Sequence, residues 1–146
     1  MISWIDKDAD LFRVDISTSN FKNLGVKFLI SLKESVTKFM ESDERCLTCD
    51  DMESIMEMIR SGMFSSFAYS CVNDETTVGI VEYIDTNEWF MNVKIYNKTS
   101  IVYQWITKYI DENYDWFAQV RGFAVEDNDG NIIMDDIICF DLVDMS

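Results

Sequence analysis

The sequence predicts one α+β domain over residues 1–146, in which about three helices cover a mixed, largely antiparallel sheet. Three strand-like runs follow one another at residues 64–72, 76–84 and 88–96, separated by short turns rich in Asn, Asp and Thr. An amphipathic helix follows the third run. Two more apolar runs lie near the end of the chain. We therefore expect a central three-stranded meander and a C-terminal hairpin.

The N-terminal part of the chain predicts at least one short strand followed by the longest helix. Apolar runs at residues 2–5 and 11–16 flank an acidic turn, and the second run fits a strand better than a helix. A hairpin and a single strand with a loose leading segment both fit this pattern. A helix is predicted over residues 20–41, with Ser19 or Asn20 as its N-cap. The apolar residues of this helix recur at near-helical spacing and should face the core. They are Phe21, Leu24, Phe28, Leu32, Val36 and Phe39.

The middle of the chain predicts a polar link and two shorter helices. Residues 42–50 are mostly polar and are assigned to the link. A helix with an inward-facing stripe of Met and Ile should follow and end near Arg60. The helix after the meander should begin after Thr99 or Ser100 and end near Trp116 or Phe117, with exposed carboxylates in its last turns.

The end of the chain predicts a hairpin with strands at residues 119–125 and 132–143. Asp-Gly at residues 129–130 favours a tight turn between them. Residues 127–130 also resemble part of a calcium-binding loop, but their flanks fit strands rather than the helices of such a site. We interpret the segment as a hairpin turn, and Asp-Asp at residues 135–136 as a bulge in the second strand.

The strongest global property is negative charge. The chain has 12 basic and 27 acidic side chains, a formal net charge of −15 at pH 7. This balance argues against binding nucleic acid through phosphate contacts and against docking on an anionic membrane. Residues 61–146 contain 15 acidic and 4 basic side chains, a net charge of −11. Such a field attracts basic partners, although acidity also serves simply to keep a protein in solution.

Several kinds of chemistry are excluded by composition. The chain has no histidine, so it has no Ser–His or Cys–His pair and no His-ligated zinc. Its five glycines are far apart, which argues against a P-loop or Rossmann site. Cys46 and Cys49 have C-x-x-C spacing at the predicted start of a helix. Three interpretations of the cysteines remain open: structural thiols, a zinc site that also uses Cys71 and Cys139, and a redox pair. We favour structural thiols.

The chain is expected to be cytoplasmic. No apolar run approaches the ~20 residues that a membrane-spanning helix needs. The segment 1–6 has no basic stretch before its first acidic residue, which predicts that it is not a signal peptide. In an intracellular protein of this size the cysteines should be reduced.

The predicted element order resembles part of the fold of the GNAT family of N-acetyltransferases. The resemblance depends on the hairpin of residues 67–83, with Val78-Gly79-Ile80-Val81 after its turn, and on residues 89–96 leading into a helix. It implies acetyl-CoA as cofactor, a basic amine substrate, and Glu82 or a tyrosine as proton acceptor. The loop at residues 97–102 has no glycine, whereas the family has a Gly-x-Gly/Ala pattern there. The residues implied to hold the cofactor are Val93, Lys94, Ile95, Lys98, Thr99 and Ser100.

Charge and the missing motifs together predict a non-catalytic acidic module that occludes a basic surface on a partner protein. Nucleic-acid mimics encoded by phages and immunity proteins for toxins act in this way. No catalytic residue, metal or cofactor is assigned, and the acetyltransferase is the alternative. A structural subunit of a larger assembly also fits. The carboxylates expected to face the partner are Asp111, Glu112, Asp115, Glu126, Asp127, Asp129, Asp135 and Asp136.

Overall fold

A computed structural model of the chain provides the fold. Among the residues that it describes are seven strands and two helices. The described residues are 1–19, 21, 23–43, 45–49, 77–95 and 101–144. In chain order the elements are β1 (Ile2–Asp6), β2 (Leu11–Asp15), α1 (Val26–Met40), β3 (Cys46–Cys49), β4 (Thr77–Asp85), β5 (Phe90–Lys94), α2 (Ile101–Asp111), β6 (Trp116–Glu126) and β7 (Ile132–Asp144).

The strands form one mixed sheet in the order β1-β2-β5-β4-β3-β7-β6. Neighbouring strands are antiparallel except β3 and β7, which are parallel. Just beyond β2, Ile16 forms a parallel bridge with Ala118 of β6, and the Ser17 N–H donates to the Ala118 carbonyl at 2.8 Å. Since β2 and β6 lie near opposite edges of the sheet, this bridge curls the sheet toward a barrel.

The core lies between the sheet and the helices. Phe12, Leu47 and Phe140 come from three different strands and are at most 1% exposed. Helix α1 packs chiefly against β7, where Phe39 meets Phe140 edge to face at 5.3 Å between ring centroids. The apolar stripe predicted from the sequence is confirmed, because Phe21, Phe28, Leu32, Val36 and Phe39 are all buried and Leu24 is partly buried.

The predicted fold class is wrong. The described residues are mostly sheet with two short helices, whereas about three helices covering the sheet were expected. One cause is the predicted polar link, part of which is strand β3, inserted between β4 and β7. The other cause is helix length, because α1 begins at Val26 after Gly25 at φ 91°, and α2 ends at Asp111.

Both predicted hairpins are present where the structure describes them. Strands β4 and β5 form the second hairpin of the predicted meander, and β6 and β7 form the C-terminal one. Strand β6 begins at Trp116, where the sequence predicted the end of a helix. Register shifts on β7 confirm the bulge predicted at residues 135–136. The first predicted meander strand, at residues 64–72, and the helix ending near Arg60 lie outside the described residues.

Candidate partner-binding surface

The C-terminal hairpin extends beyond the sheet as a two-stranded ribbon. Strand β3 pairs with β7 at Phe140, Asp141 and Leu142, whereas β6 and β7 pair with each other as far as Glu126 and Ile132. We call residues 122–138 the ribbon. It contains five acidic and no basic residues.

One edge of the ribbon is covered by helix α1. The Ser31 hydroxyl accepts a hydrogen bond from the Met134 N–H at 2.9 Å, and the Ser35 hydroxyl donates to the Met134 carbonyl at 3.2 Å. Both serines are buried, as is Met134. Side chains of α1 therefore satisfy the outward-facing backbone groups of β7 at this point, as an additional strand would do.

The ribbon exposes large apolar side chains. Phe123 is 61% exposed and Val125 is 49% exposed, both on β6. Ile138, the extra residue of the bulge between Arg121 and Gly122, is 40% exposed. Single exposed apolar residues are common, but several on one projecting element are typical of a surface that another molecule covers.

Four of the predicted carboxylates lie on the same ribbon as these apolar residues and are available to a partner. Glu126, Asp129, Asp135 and Asp136 are all exposed. Asp129 lies 3.6 Å from the ammonium group of Lys27 at the start of α1. No hydrogen bond or ion pair links the side chains of the other three to described residues. The ribbon thus combines mostly unpaired negative charge with exposed apolar area.

Asp127 has a different role, because its carboxylate closes the turn. Its Oδ1 accepts the backbone N–H groups of Asn131 at 2.8 Å and Asp129 at 2.9 Å. The Asn131 N–H first, and then the Asp129 N–H, hold the pKa of Asp127 below its ordinary value of 3.8. Lys27 lies 3.9 Å from its Oδ2 and contributes in the same direction. The sequence predicted a partner contact at Asp127, and the structure gives it a local structural role.

Replacing Asp127 with alanine should destabilise the protein at neutral pH but not in acid. Since the pKa is lowered on folding, the stabilisation is complete well above the ordinary pKa of 3.8 and is lost as the pH falls through the folded-state value. The difference in unfolding free energy between wild type and Asp127→Ala should therefore be constant near neutrality and shrink below about pH 4. Urea unfolding across this range measures it, with Asp129→Ala as the control. A difference independent of pH would contradict the role of the charged form.

The other three predicted carboxylates lie at the opposite end of β6. Asp111, Glu112 and Asp115 precede Trp116, and β6 is 11 residues long. At about 3.3 Å per residue, the length of β6 separates Asp115 from Glu126 by about 30 Å or more. The eight predicted residues therefore do not form one compact patch.

Asp111 is also engaged within the protein. It accepts hydrogen bonds from the Trp4 indole N–H at 2.9 Å and from the Lys7 ammonium group at 2.8 Å. These bonds, first that of Lys7 and then that of Trp4, lower the pKa of Asp111 below its ordinary value. They connect the end of α2 to the β1–β2 hairpin. Glu112 and Asp115 are exposed, and neither side chain has a partner among the described residues.

A pocket that the sequence did not predict lies beside the ribbon. It has a volume of about 500 Å³ and is lined by Ser42, Asp43, Asp136, Ile137 and Ile138. It therefore combines two carboxylates with two aliphatic side chains. Lysine and arginine have aliphatic stems and cationic ends, so this lining suits their side chains. Residues separated by more than ninety positions contribute to it, so no local pattern could have indicated it.

A buried polar cluster joins β3, β7 and β6 at the base of the ribbon. The Thr48 hydroxyl donates a short hydrogen bond to Asp141, and Arg121 Nε lies 2.8 Å from the other Asp141 oxygen. Thr48 is 1% exposed and Asp141 8%. Burial, and then the Asp141 carboxylate, raise the pKa of the Cys139 thiol to about 11. Cys139 is therefore protonated at neutral pH and unsuited to nucleophilic or metal chemistry.

Cys46 and Cys49, the C-x-x-C pair of the sequence, are the two ends of strand β3. Cys46 is half-buried, and Cys71 lies outside the described residues. Within the described ranges, no group of three or more Cys, Asp or Glu side chains could hold a metal ion.

The residues implied by the acetyltransferase resemblance lie on and after an internal strand. Val93 and Lys94 of β5 pair with β2 on one side and β4 on the other. The Ile95 N–H donates to the Asp10 carbonyl at 3.0 Å. Glu82 is exposed on β4. Acetyl-CoA binding thus stays a prediction from the resemblance. The remaining implied residues lie outside the described part of the chain: Lys98, Thr99 and Ser100.

Comparisons with protein-family models, with curated proteins and with solved structures find no match to this chain. Neither α1 nor α2 is long and apolar enough to cross a membrane.

Proposed function

We propose that the protein is a non-catalytic, cytoplasmic binding module that occludes a basic surface on a partner protein, and that the ribbon is its contact surface. The observation that carries this proposal is the exposure of Phe123 and Val125 on the same ribbon as the exposed carboxylates of Glu126, Asp135 and Asp136. Specific protein interfaces typically have an apolar centre and a polar rim.

Solubility alone explains the net charge of −15 but does not explain the apolar side chains of the ribbon. A projecting two-stranded element with a phenylalanine 61% exposed is costly to keep in water unless it is covered at some stage. Carboxylates pair well with lysine, and they bind arginine through two parallel hydrogen bonds. Lys27 already makes such contacts with Asp127 and Asp129 within the protein.

The proposed module belongs to the class of inhibitors that compete with nucleic acid for a basic surface. Nucleic acids present negative charge at regular spacing, and carboxylates along an extended ribbon present it over a comparable length. The exposed apolar residues would then add contacts that a phosphate backbone does not make. Such a protein would need no catalytic residue or cofactor.

The proposal is tested by capture with the immobilised protein. Proteins retained from a cell extract at about 0.1 M salt should be basic and should elute by about 0.5 M salt, because exposed ionic contacts are screened. A protein with lysine in place of Glu126 and Asp135 should retain much less of them. Retention that is insensitive to salt, or equal on wild type and variant, would refute the proposed function.

A further inference from the structure

We propose that the open edge of β6 in the ribbon binds an extended basic segment of the partner as an additional β-strand. This inference rests on the proposed function and specifies the kind of partner. Strand addition to a free sheet edge is a common mode of peptide recognition, in which backbone hydrogen bonds provide affinity and alternate side chains provide specificity.

The outer edge of β6 is open along the segment from Gly122 to Glu126. Strand β6 is the last in the sheet order. In its first half, Ile16 bridges to Ala118. From Gly122 to Glu126 every residue is exposed, and no described residue pairs with the outer side of this segment. An edge strand directs about half of its backbone N–H and C=O groups outward.

The opposite edge of the ribbon, on β7, is protected by side chains of α1. Ser31 and Ser35 occupy the outward-facing groups of Met134 on β7, as described above. No residue within the described ranges protects the β6 segment in this way. It contains neither lysine nor proline, which commonly protect edges, and both bulges place their extra residue in β7. The ribbon therefore offers one strand edge for pairing and not the other.

The side chains of the ribbon indicate which residues the added strand should contain. Phe123 and Val125 are two residues apart on β6 with no inserted residue between them, so they lie on one face. An added strand would place alternate residues beside them, and these should be apolar. The five acidic residues of the ribbon favour lysine or arginine at the remaining positions.

The charge of the chain also indicates that the strand added to β6 comes from another protein and not from a second copy of this chain. Two exposed edges of the same sequence can pair with each other, which is how edge strands promote aggregation. Here each copy has a net charge of −15, with five acidic residues on the ribbon itself. Like charges oppose such pairing, whereas a basic strand is attracted. The expected occupant is therefore an extended segment in which basic and apolar residues alternate.

The test uses synthetic eight-residue peptides of alternating lysine and valine, with binding measured by calorimetry or fluorescence anisotropy. Two modified peptides carry backbone N-methyl groups, one on every lysine and one on every valine. In strand addition only one of these sets has its N–H groups directed at β6. One modified peptide should therefore lose at least about tenfold in affinity, and the other should bind nearly as well as the unmodified peptide.

A pair of matched variants locates the site. Val125→Lys should weaken binding of the unmodified peptide by at least about tenfold, since it places a like charge beside the proposed strand. Ile5→Lys is the control, because Ile5 is 48% exposed on β1, the strand at the other edge of the sheet. It should leave the affinity within about twofold.

Each outcome is decisive. Equal binding of both N-methylated peptides, equal loss by both, or equal effects of the two lysine variants would overturn strand addition. If the peptides fail to bind while capture of basic proteins still depends on Glu126 and Asp135, strand addition is refuted and the proposed function stands. If capture also does not depend on them, the proposed function fails as well.

Discussion

Replacing Asp141 with alanine is expected to lower the free energy of unfolding by about 2–4 kcal/mol. Asp141 accepts the Thr48 hydroxyl and pairs with Arg121 at 2.8 Å, so its carboxylate connects the three strands at the base of the ribbon. Removing one partner of a buried pair typically costs about 3–5 kcal/mol, because the other charge stays desolvated. The Arg121 side chain is 28% exposed, which places the expected loss toward the lower end.

Urea unfolding at pH 7 measures this effect, and Asp136→Ala provides the matched control. Asp136 is an exposed aspartate on the same strand, so its replacement should change stability by no more than about 0.5 kcal/mol. Thr48→Val should cost less than Asp141→Ala, since it removes one hydrogen bond and leaves the ion pair. If Asp141→Ala were no more destabilising than Asp136→Ala, the cluster would not hold the three strands together.

The sequence predicted the elements that depend on local patterns. The C-terminal hairpin followed from Asp129-Gly130, and Gly130 indeed has φ 82°. The bulge at residues 135–136 followed from two consecutive aspartates in an apolar run. The core stripe of α1 followed from helical spacing. In each case neighbouring residues carry the information, so the prediction needed no knowledge of the fold.

The elements that depend on distant partners were missed. Strand β3 has only four residues, and its pairing with β4 and β7 gives it its conformation. The start of α1 was placed too early because Phe21 and Leu24 continue the apolar spacing, whereas Gly25 at φ 91° interrupts the helical backbone. Propensity is a weak guide where tertiary contacts decide.

The sequence predicted the negative charge of the candidate site but not the positions of its carboxylates. Charge indicated an acidic surface, yet Asp111 binds Trp4 and Lys7, and Asp127 closes its own turn. The division of the remaining carboxylates between two ends follows from the length of β6, which sequence placed three residues too short at its start. The open edge of β6 depends on strand order, which no local pattern encodes.

Reversing two charges on the ribbon is expected to weaken binding of a captured basic protein by about tenfold to a hundredfold. Each substitution, Glu126→Lys and Asp135→Lys, removes an attraction and adds a repulsion. The expected loss corresponds to about 1.4–2.7 kcal/mol, which lies within the range given by two lost attractions and two added repulsions at about 0.2–1 kcal/mol each. Neither carboxylate bonds to a described residue, so the fold should be unaffected. A thermal melt checks this.

The matched control reverses two charges at the other end of β6. Glu112→Lys with Asp115→Lys replaces the same residue types and changes the net charge by the same amount, at least about 30 Å from the ribbon tip. Glu112 and Asp115 are exposed and, among the described residues, their side chains are likewise unpaired. A general effect of net charge would therefore appear equally in both proteins.

The most direct test of the account is the affinity of one captured basic protein for wild type and for these two double variants, at one salt concentration. The account predicts that the Glu126/Asp135 variant loses at least about tenfold while the Glu112/Asp115 variant stays within about threefold of wild type. Equal losses in the two variants would show that attraction depends on overall charge rather than on the ribbon. A larger loss in the Glu112/Asp115 variant would place the contact at the opposite end of β6.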